Sequence, residues 1–138
     1  PKTIPDDGLK MKRSIVAASA VLTFVLAACS GGSGYKTVSV DVFAKTIADP
    51  AVVVIDVRTP EEFATGHIAN AVNMNVESPE FDTQVSNVAK SASVAVYCHS
   101  GRRSAIAADK MMKAGFTNIH NLDGGISAWI AAGQLVTS

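Results

Sequence analysis

One segment constrains the fold of this chain more than any other: residues 93–104, in which a short apolar run meets a cysteine, a glycine and two arginines. Residues 93–97 are mostly apolar and β-branched, which is typical of a parallel strand covered on both faces. Residues 105–114 are predicted to form a helix. A buried strand that leads through a short loop into a helix is the unit from which α/β sheets are built, so an α/β fold is favoured.

The same segment predicts a reactive thiol. Backbone N–H groups of a tight loop between strand and helix point inward and form an anion nest, and the positive end of the helix adds to it. Cys98 lies at the rim of this nest, so we expect its pKa to fall below the free value of about 8.5. The candidate anion loop consists of His99, Ser100, Gly101, Arg102, Arg103 and Ser104.

Strand and helix patterns alternate along the rest of the chain, without repeats or low-complexity tracts. Ser39 or Asp41 is expected to cap the first helix, and Thr59 followed by Pro60 is expected to begin the second. Trp129 is expected to be a core residue of the last helix.

Strands are predicted at residues 51–57, 71–75, 93–97 and 118–122. Helices are predicted at residues 40–48, from residue 59 onward, from residue 78 or 79 to residue 90, at residues 105–114, and after the glycines at 124 and 125.

The N-terminal part reads as an export signal rather than as part of the fold. Residues 1–10 precede a plausible initiator methionine and are interpreted as upstream sequence. Residues 11–28 join Lys12 and Arg13 to an apolar stretch that is too short for a membrane span of roughly 20 residues. The sequence Leu-Ala-Ala-Cys at residues 26–29 resembles the lipobox of bacterial lipoproteins, which implies cleavage before Cys29 and lipidation of its thiol. An ordinary secretory signal and an uncleaved anchor are the alternatives.

Cleavage before Cys29 leaves one small domain, in which lipidation of Cys29 would leave Cys98 as the one free thiol. Residues 29–36 read as the lipidated cysteine with a Gly/Ser linker, and residues 37–138 as the folded domain. The formal charge of residues 29–138 is −2, which gives no indication of nucleic-acid binding. Cys98 has no partner for an internal disulfide. The expected location is the cell envelope, on the outer face of the cytoplasmic membrane or on the outer membrane, and Ser30 favours the latter.

Four separated segments together resemble the rhodanese-like sulfurtransferases, over residues 38–133. These segments are Ile-Asp-Val-Arg at 55–58 with Glu-Glu-Phe at 61–63, Gly-His-Ile at 66–68 with Ala-Val-Asn at 71–73, the loop at 98–104, and Leu-Asp-Gly-Gly-Ile at 122–126 with Trp129. The resemblance implies a five-stranded, mainly parallel sheet with helices on both faces. It also implies that Cys98 accepts a sulfane sulfur and holds it as a persulfide.

The chemistry expected of such a site is two-step covalent transfer. A Cys98 thiolate attacks an anionic donor such as thiosulfate, and a thiol or cyanide then removes the sulfur. Arg103 matches the loop-closing arginine of the family, and Arg102 is expected to project from the loop and meet the donor. We expect no cofactor, and the histidines and cysteines show no metal-ligand spacing.

Other functions remain open at this point. Tyrosine phosphatases have one more residue before their arginine than the four that separate Cys98 from Arg103, so phosphatase or arsenate reductase activity is disfavoured. An envelope sulfur carrier or binding module for a protein partner would keep the fold with little turnover of free thiosulfate. A purely structural lipoprotein would leave the cysteine loop unexplained.

The remaining polar residues have mainly structural interpretations. Asp56 and Arg58 lie at the end of the strand predicted at residues 51–57 and could support the pocket, although an ion pair is preferred for Asp56. Glu61 and Glu62 read as acids at a helix start. His67 is interpreted as structural, and His120 has no partner that the sequence identifies. His99 could tune the Cys98 pKa or contact substrate.

Overall fold

The computed structural model describes residues 34–138, and the predictions for residues 1–33 lie outside this part of the chain. Five strands form one sheet in the order β1-β5-β4-β2-β3, and every neighbouring pair is parallel. The predicted α/β fold with a five-stranded parallel sheet is therefore confirmed. The strands are β1 (Lys36–Val38), β2 (Val53–Asp56), β3 (Val72–Asn73), β4 (Val94–Tyr97) and β5 (Ile119–Leu122).

Helices cover both faces of the sheet, and each face has its own apolar core. The helices are α1 (Val40–Ile47), α2 (Pro60–Ala64), α3 (Phe81–Ser86), α4 (Arg102–Lys113) and α5 (Gly125–Ala131). Helices α3 and α4 bury Phe81 and Met111 on one face. Helices α1 and α5 bury Phe43 and Trp129 on the other, where the two rings meet edge to face. Trp129 is thus a core residue, as predicted.

The first two helices begin as the sequence predicts. The Ser39 side chain accepts a hydrogen bond from the Val42 N–H, which satisfies one of the unpaired donors at the start of α1. Thr59 and Glu62 form a capping box at the start of α2, with Pro60 in the first turn. Both caps are local, which is why the sequence alone could place them.

Several predicted elements have different bounds in the structure, and the strand predicted at residues 51–57 is Val53–Asp56. The helix expected up to residue 90 is only Phe81–Ser86, because the side chains of Ser86 and Asn87 both bond the Thr83 carbonyl and compete with the helical ladder. The helix expected from residue 105 already begins at Arg102. The strand expected at residues 71–75 pairs only over Val72–Asn73.

Strand β1 was missing from the local prediction. It has three residues, Lys36–Val38, at the outer edge of the sheet, and two of them are exposed. A strand this short and this polar has no alternation of apolar and polar residues that would reveal it in the sequence. Its extended conformation depends on pairing with β5.

None of the helices in residues 34–138 has the length and hydrophobicity of a membrane-spanning segment. The same residues contain no group of three or more His, Cys, Asp or Glu side chains placed to hold a metal ion.

Candidate active site

Cys98 lies directly after the central strand β4, at the carboxyl edge of the sheet, where ligands of open α/β sheets bind. It is only 1% exposed and belongs to the core under α3 and α4. The loop from Cys98 to Gly101 then leads into α4. Gly101 has a φ of +107°, in the left-handed region that favours glycine, and this turn lets the helix begin at Arg102.

The Cys98 sulfur is surrounded by hydrogen-bond donors. The backbone N–H of Gly101 donates to Sγ at 3.0 Å, and the buried Ser104 hydroxyl lies 3.4 Å from the same atom. Burial by itself raises the pKa of Cys98, but hydrogen bonds from the Ser104 hydroxyl and from the backbone N–H groups of Ser104, Gly101 and Ser100 outweigh it. The net effect is a lowered pKa, as the sequence predicts for a thiol in an anion nest.

Replacing Ser104 by alanine should raise the Cys98 pKa, because it removes a buried hydroxyl that lies within hydrogen-bond distance of Sγ and stabilises the thiolate. The pH midpoint of Cys98 alkylation by iodoacetamide is expected to move upward. Ser100→Ala is the matched control, since Ser100 is exposed and its backbone N–H survives the change. Equal midpoints for Ser104→Ala and the unsubstituted protein would contradict this assignment.

The start of α5 holds the cysteine loop from the other side. The N–H of Ile126 donates to the Cys98 carbonyl at 2.8 Å, and the N–H of Ser127 donates to the His99 carbonyl at 3.1 Å. Gly125 has a φ of +61°, and a Cβ at this position would lie 2.5 Å from backbone atoms of Cys98 and His99. Only glycine fits this approach. The exposed His99 ring lies 3.2 Å from the Ser127 hydroxyl.

Arg103 is held by a carboxylate from another helix. Its two terminal guanidinium nitrogens contact the two Glu62 oxygens at 2.7 and 2.9 Å. The hydrogen bond from Arg103 is the main reason that the pKa of Glu62 falls from its ordinary 4.5 to about 2. Glu62 also raises the pKa of Arg103, and the nearby Cys98 sulfur does so to a smaller degree. The pair ties the first turn of α4 to α2.

Glu62→Gln should destabilise the fold by about 1 kcal/mol at neutral pH, because it removes the charge but keeps an oxygen for the capping box. The Glu62 pKa is lowered on folding, so its contribution is present above pH 4.5 and is lost as the pH falls towards about 2. Urea unfolding at a series of pH values would measure this. Glu61→Gln, which changes an exposed neighbour, is the control, and a pH-independent difference would contradict the prediction.

Arg102 is exposed at the first position of α4, and no carboxylate of the described residues lies within 4.0 Å of it. Its guanidinium is thus exposed and outside the ion pairs of the described residues. The positive end of the helix disfavours a cation at this position, so Arg102 does not serve to stabilise α4.

Asp56 and Arg58 form a buried ion pair, 2.7 Å from Arg58 Nη2 to Asp56 Oδ2. Arg58 also donates to the Gly66 carbonyl at 2.7 Å. Asp56 pairs in register with Tyr97, so its side chain lies on the face opposite that of Cys98, the next residue. This placement fits the structural alternative: the pair braces the end of β2. No hydrogen bond in the described residues joins it to Cys98, and its role in supporting the pocket stays a prediction.

The hydrogen bonds and ring contacts of the remaining candidate residues, His67, Trp129 and His120, do not involve the Cys98 sulfur. His67 stacks on Phe63 with 3.7 Å between ring centroids, and its Nδ1 lies 3.0 Å from the Phe63 carbonyl oxygen. The Trp129 ring N–H donates to the Leu135 carbonyl. The Nδ1 atom of His120 is buried in β5 without a hydrogen-bond partner among the described residues.

Two site features were not predicted from the sequence. Gly125 was interpreted only as part of a turn, although paired glycines before a helix do signal a close backbone approach. The second is the contact of Glu62 with Arg103, which are 41 residues apart. No local pattern reveals that contact, because a glutamate three residues after a cap is already explained by the capping box.

Residues 34–138 form an α/β fold whose one cysteine, Cys98, has a lowered pKa and lies in a loop of hydrogen-bond donors at the carboxyl edge of a parallel sheet. Residues 39–132 match the family profile of the Rhodanese-like domain. The chain therefore belongs to the rhodanese-like domain family.

Known proteins of similar sequence agree with this. Thiosulfate sulfurtransferase 16 of Arabidopsis thaliana is 39% identical over 89 residues, which are 57% of this chain and 74% of that protein. Thiosulfate sulfurtransferase GlpE of Pseudomonas entomophila is 34% identical over 98 residues, 70% of this chain and 86% of that protein. The chain spans about half the length of several other curated relatives. Matches of this kind support a function of the sulfurtransferase type.

Solved structures show the same architecture. A rhodanese-related protein from Thermoplasma volcanium superposes with a TM-score of 0.66 at 30% identity, covering 75% of this chain and 98% of that one. A rhodanese-like domain from Anabaena gives a TM-score of 0.66 at 28% identity, covering 74% and 78%.

Proposed function

We propose that the protein is a sulfurtransferase that moves a sulfane sulfur from an anionic donor to a thiophilic acceptor through a Cys98 persulfide. The observation that carries the proposal is the donor set around Sγ, in which the Gly101 N–H and the Ser104 hydroxyl lower the thiol pKa. The thiosulfate sulfurtransferases among its relatives support the choice of thiosulfate as donor.

The transfer takes place in two balanced steps. The Cys98 thiolate attacks the outer sulfur of thiosulfate, a new S–S bond forms, and the old one breaks so that sulfite leaves with the bonding pair. A nucleophile such as cyanide then attacks the terminal sulfur of the persulfide, giving thiocyanate and restoring the thiolate. Donor and persulfide are both anionic, so the loop amides that stabilise the thiolate also stabilise these species.

Arg102 and Arg103 have different roles in this proposal. Arg103 is engaged by Glu62, so it fixes the loop and supplies positive charge near the sulfur. Arg102 is exposed and unpaired among the described residues, so it is the arginine that meets the incoming donor. Arg–anion contacts of this kind are strong because the guanidinium is planar and permanently charged.

Steady-state thiocyanate formation from thiosulfate and cyanide tests the proposal. The protein of residues 30–138 contains every strand and both cores that the structure describes, and Cys98 is its only thiol. Parallel lines in a double-reciprocal plot would indicate ping-pong transfer. A persulfide that forms on Cys98 but is discharged only by a protein acceptor would identify a carrier instead, and absence of a persulfide would refute the proposal.

We also propose that the protein is exported and anchored through a lipid on Cys29. The apolar stretch at residues 15–28 and the sequence Leu-Ala-Ala-Cys that closes the signal support this. Metabolic labelling with a radioactive fatty acid should mark the full chain and not the Cys29→Ser variant. Equal labelling of both chains, or labelling of neither, would refute the anchor.

A further inference from the structure

Charges in residues 34–138 are divided between the two ends of the sheet. All strands are parallel, so all begin at one edge, and Lys36 is the first residue of β1. Lys90 lies in the loop before β4, with its ammonium 4.4 Å from the centroid of the Phe116 ring, just before β5. Both lysines therefore lie at the edge where strands begin.

The helices bring three more lysines to the same edge. Helices α1 and α4 follow β1 and β4 and run back along the sheet, so their last turns lie where the strands begin. Lys45 is in the last turn of α1. The complete set, which we call the lysine end, is Lys36, Lys45, Lys90, Lys110 and Lys113, all exposed and together all the lysines of the described residues.

Few carboxylates neutralise the lysine end. Lys110 contacts Asp82 at 3.3 Å, and no carboxylate of the described residues lies within 4.0 Å of the other four lysines. Two further acids belong to this region: Asp49, which accepts a hydrogen bond from the Ala51 N–H, and Asp109, beside Lys110 in α4. The lysine end thus has a net positive charge, although the domain as a whole is negative.

The opposite end, around the Cys98 loop, carries mostly acids at its surface. Asp41 and Glu61 are in the first turns of α1 and α2, and Asp123 follows β5. Each is exposed and lies outside the ion pairs of the described residues. The domain therefore has an electric dipole along the direction of its strands, with the positive end where the strands begin.

The chain enters the domain at the lysine end. Gly34 lies against the side chain of Met112, in the last turn of α4, and Tyr35 packs on the core beside it. Residues upstream, including the apolar stretch at 15–28 and Cys29, are thus connected to this end. Four residues separate Cys29 from Gly34, so a lipid on Cys29 would hold the lysine end close to the membrane surface.

We propose that the lysine end lies against an anionic lipid surface and that the Cys98 loop faces away from it. The inference rests on the proposed anchor for its biological setting, while the charge distribution supports it independently. A lysine near an anionic surface strengthens partitioning by up to about fivefold. Helix α4 places the Cys98 loop roughly 18 Å from the lysine end, which exceeds the Debye length of about 8 Å. The negative potential of the membrane therefore does not deplete an anionic donor at the site.

Vesicle partitioning of residues 30–138 tests the surface without any lipid anchor. We expect binding to vesicles of equimolar phosphatidylcholine and phosphatidylglycerol, and no binding to vesicles of phosphatidylcholine alone. Binding to the anionic vesicles should be at least about tenfold weaker in a variant in which four lysines are changed to Gln: Lys36, Lys45, Lys90 and Lys113. The control changes Asp41, Glu61 and Asp123, at the far end, to their amides. Equal binding to both vesicles, an unaffected lysine variant, or binding that follows net charge alone would overturn the proposal.

Orientation can be measured on the full lipidated chain in the anionic vesicles. On a Cys98→Ser background, a fluorophore at Thr117→Cys, before β5, should be quenched by spin-labelled lipid far more than one at Ser127→Cys, beside the active loop. Equal or reversed quenching would overturn the orientation. Sulfur loading of Cys98 is measured separately without lipid, so failure of the proposed chemistry would be recognised independently of these results.

Discussion

Cys98→Ser is expected to abolish thiocyanate formation from thiosulfate and cyanide while leaving the fold intact. Serine has nearly the same shape, but its hydroxyl does not ionise near neutral pH, so neither the first attack nor the persulfide can form. The free energy of unfolding should change by less than about 1 kcal/mol, because a buried hydroxyl in this loop can use the Gly101 N–H as its hydrogen-bond donor.

The enzyme assay and a urea titration of the same preparation check both parts of this prediction. Ser91→Ala, an exposed change outside the loop, serves as the control and should retain turnover. Turnover in folded Cys98→Ser protein at a rate close to that of the unsubstituted chain would place the nucleophile elsewhere.

Gly125→Ala should be the most damaging change outside the cysteine itself. The new Cβ would lie 2.5 Å from the Cys98 carbonyl oxygen and the His99 carbonyl group, and alanine at a φ of +61° costs about 1 kcal/mol on its own. Relief of the clash must move α5 away from the loop, which breaks the hydrogen bonds from Ile126 and Ser127. We expect a loss of about 2 kcal/mol or more in stability and at least a tenfold loss of activity.

Gly133→Ala separates the two causes. Gly133 has a φ of +79°, but a Cβ there would meet nothing within 4 Å, so this variant should lose stability and keep its activity. If Gly125→Ala behaved like Gly133→Ala in the thiocyanate assay, the contact of α5 with the loop would have no part in catalysis.

The site could be predicted from the sequence to the extent that it is local. The strand before Cys98, the glycine that turns the loop and the helix after it are contiguous, so their chemistry follows from one segment. The capping box of Thr59 and Glu62 was predictable for the same reason. In contrast, β1 has too few apolar residues to be recognised and exists because β5 offers it a partner.

The supports of the loop were less accessible because they join distant segments. The ion pair of Glu62 with Arg103 spans 41 residues, and Gly125 approaches Cys98 from the last helix. Helix α3, in contrast, was predicted to be longer than it is. Phe81, Val85 and Val88 keep a helical spacing, but the helix ends at Ser86 because two nearby side chains donate to the carbonyl of one residue in its last turn. Periodicity indicates which residues face the core, but competing hydrogen bonds decide where a helix stops.

The most direct test of the account is the intact mass of residues 30–138 after mixing with thiosulfate, and again after adding cyanide. The account predicts a gain of one sulfur atom on the unsubstituted protein, none on Cys98→Ser, and loss of that sulfur as thiocyanate when cyanide is added. No gain in mass while Cys98 is reduced and open to alkylation would contradict sulfur transfer from thiosulfate through this residue.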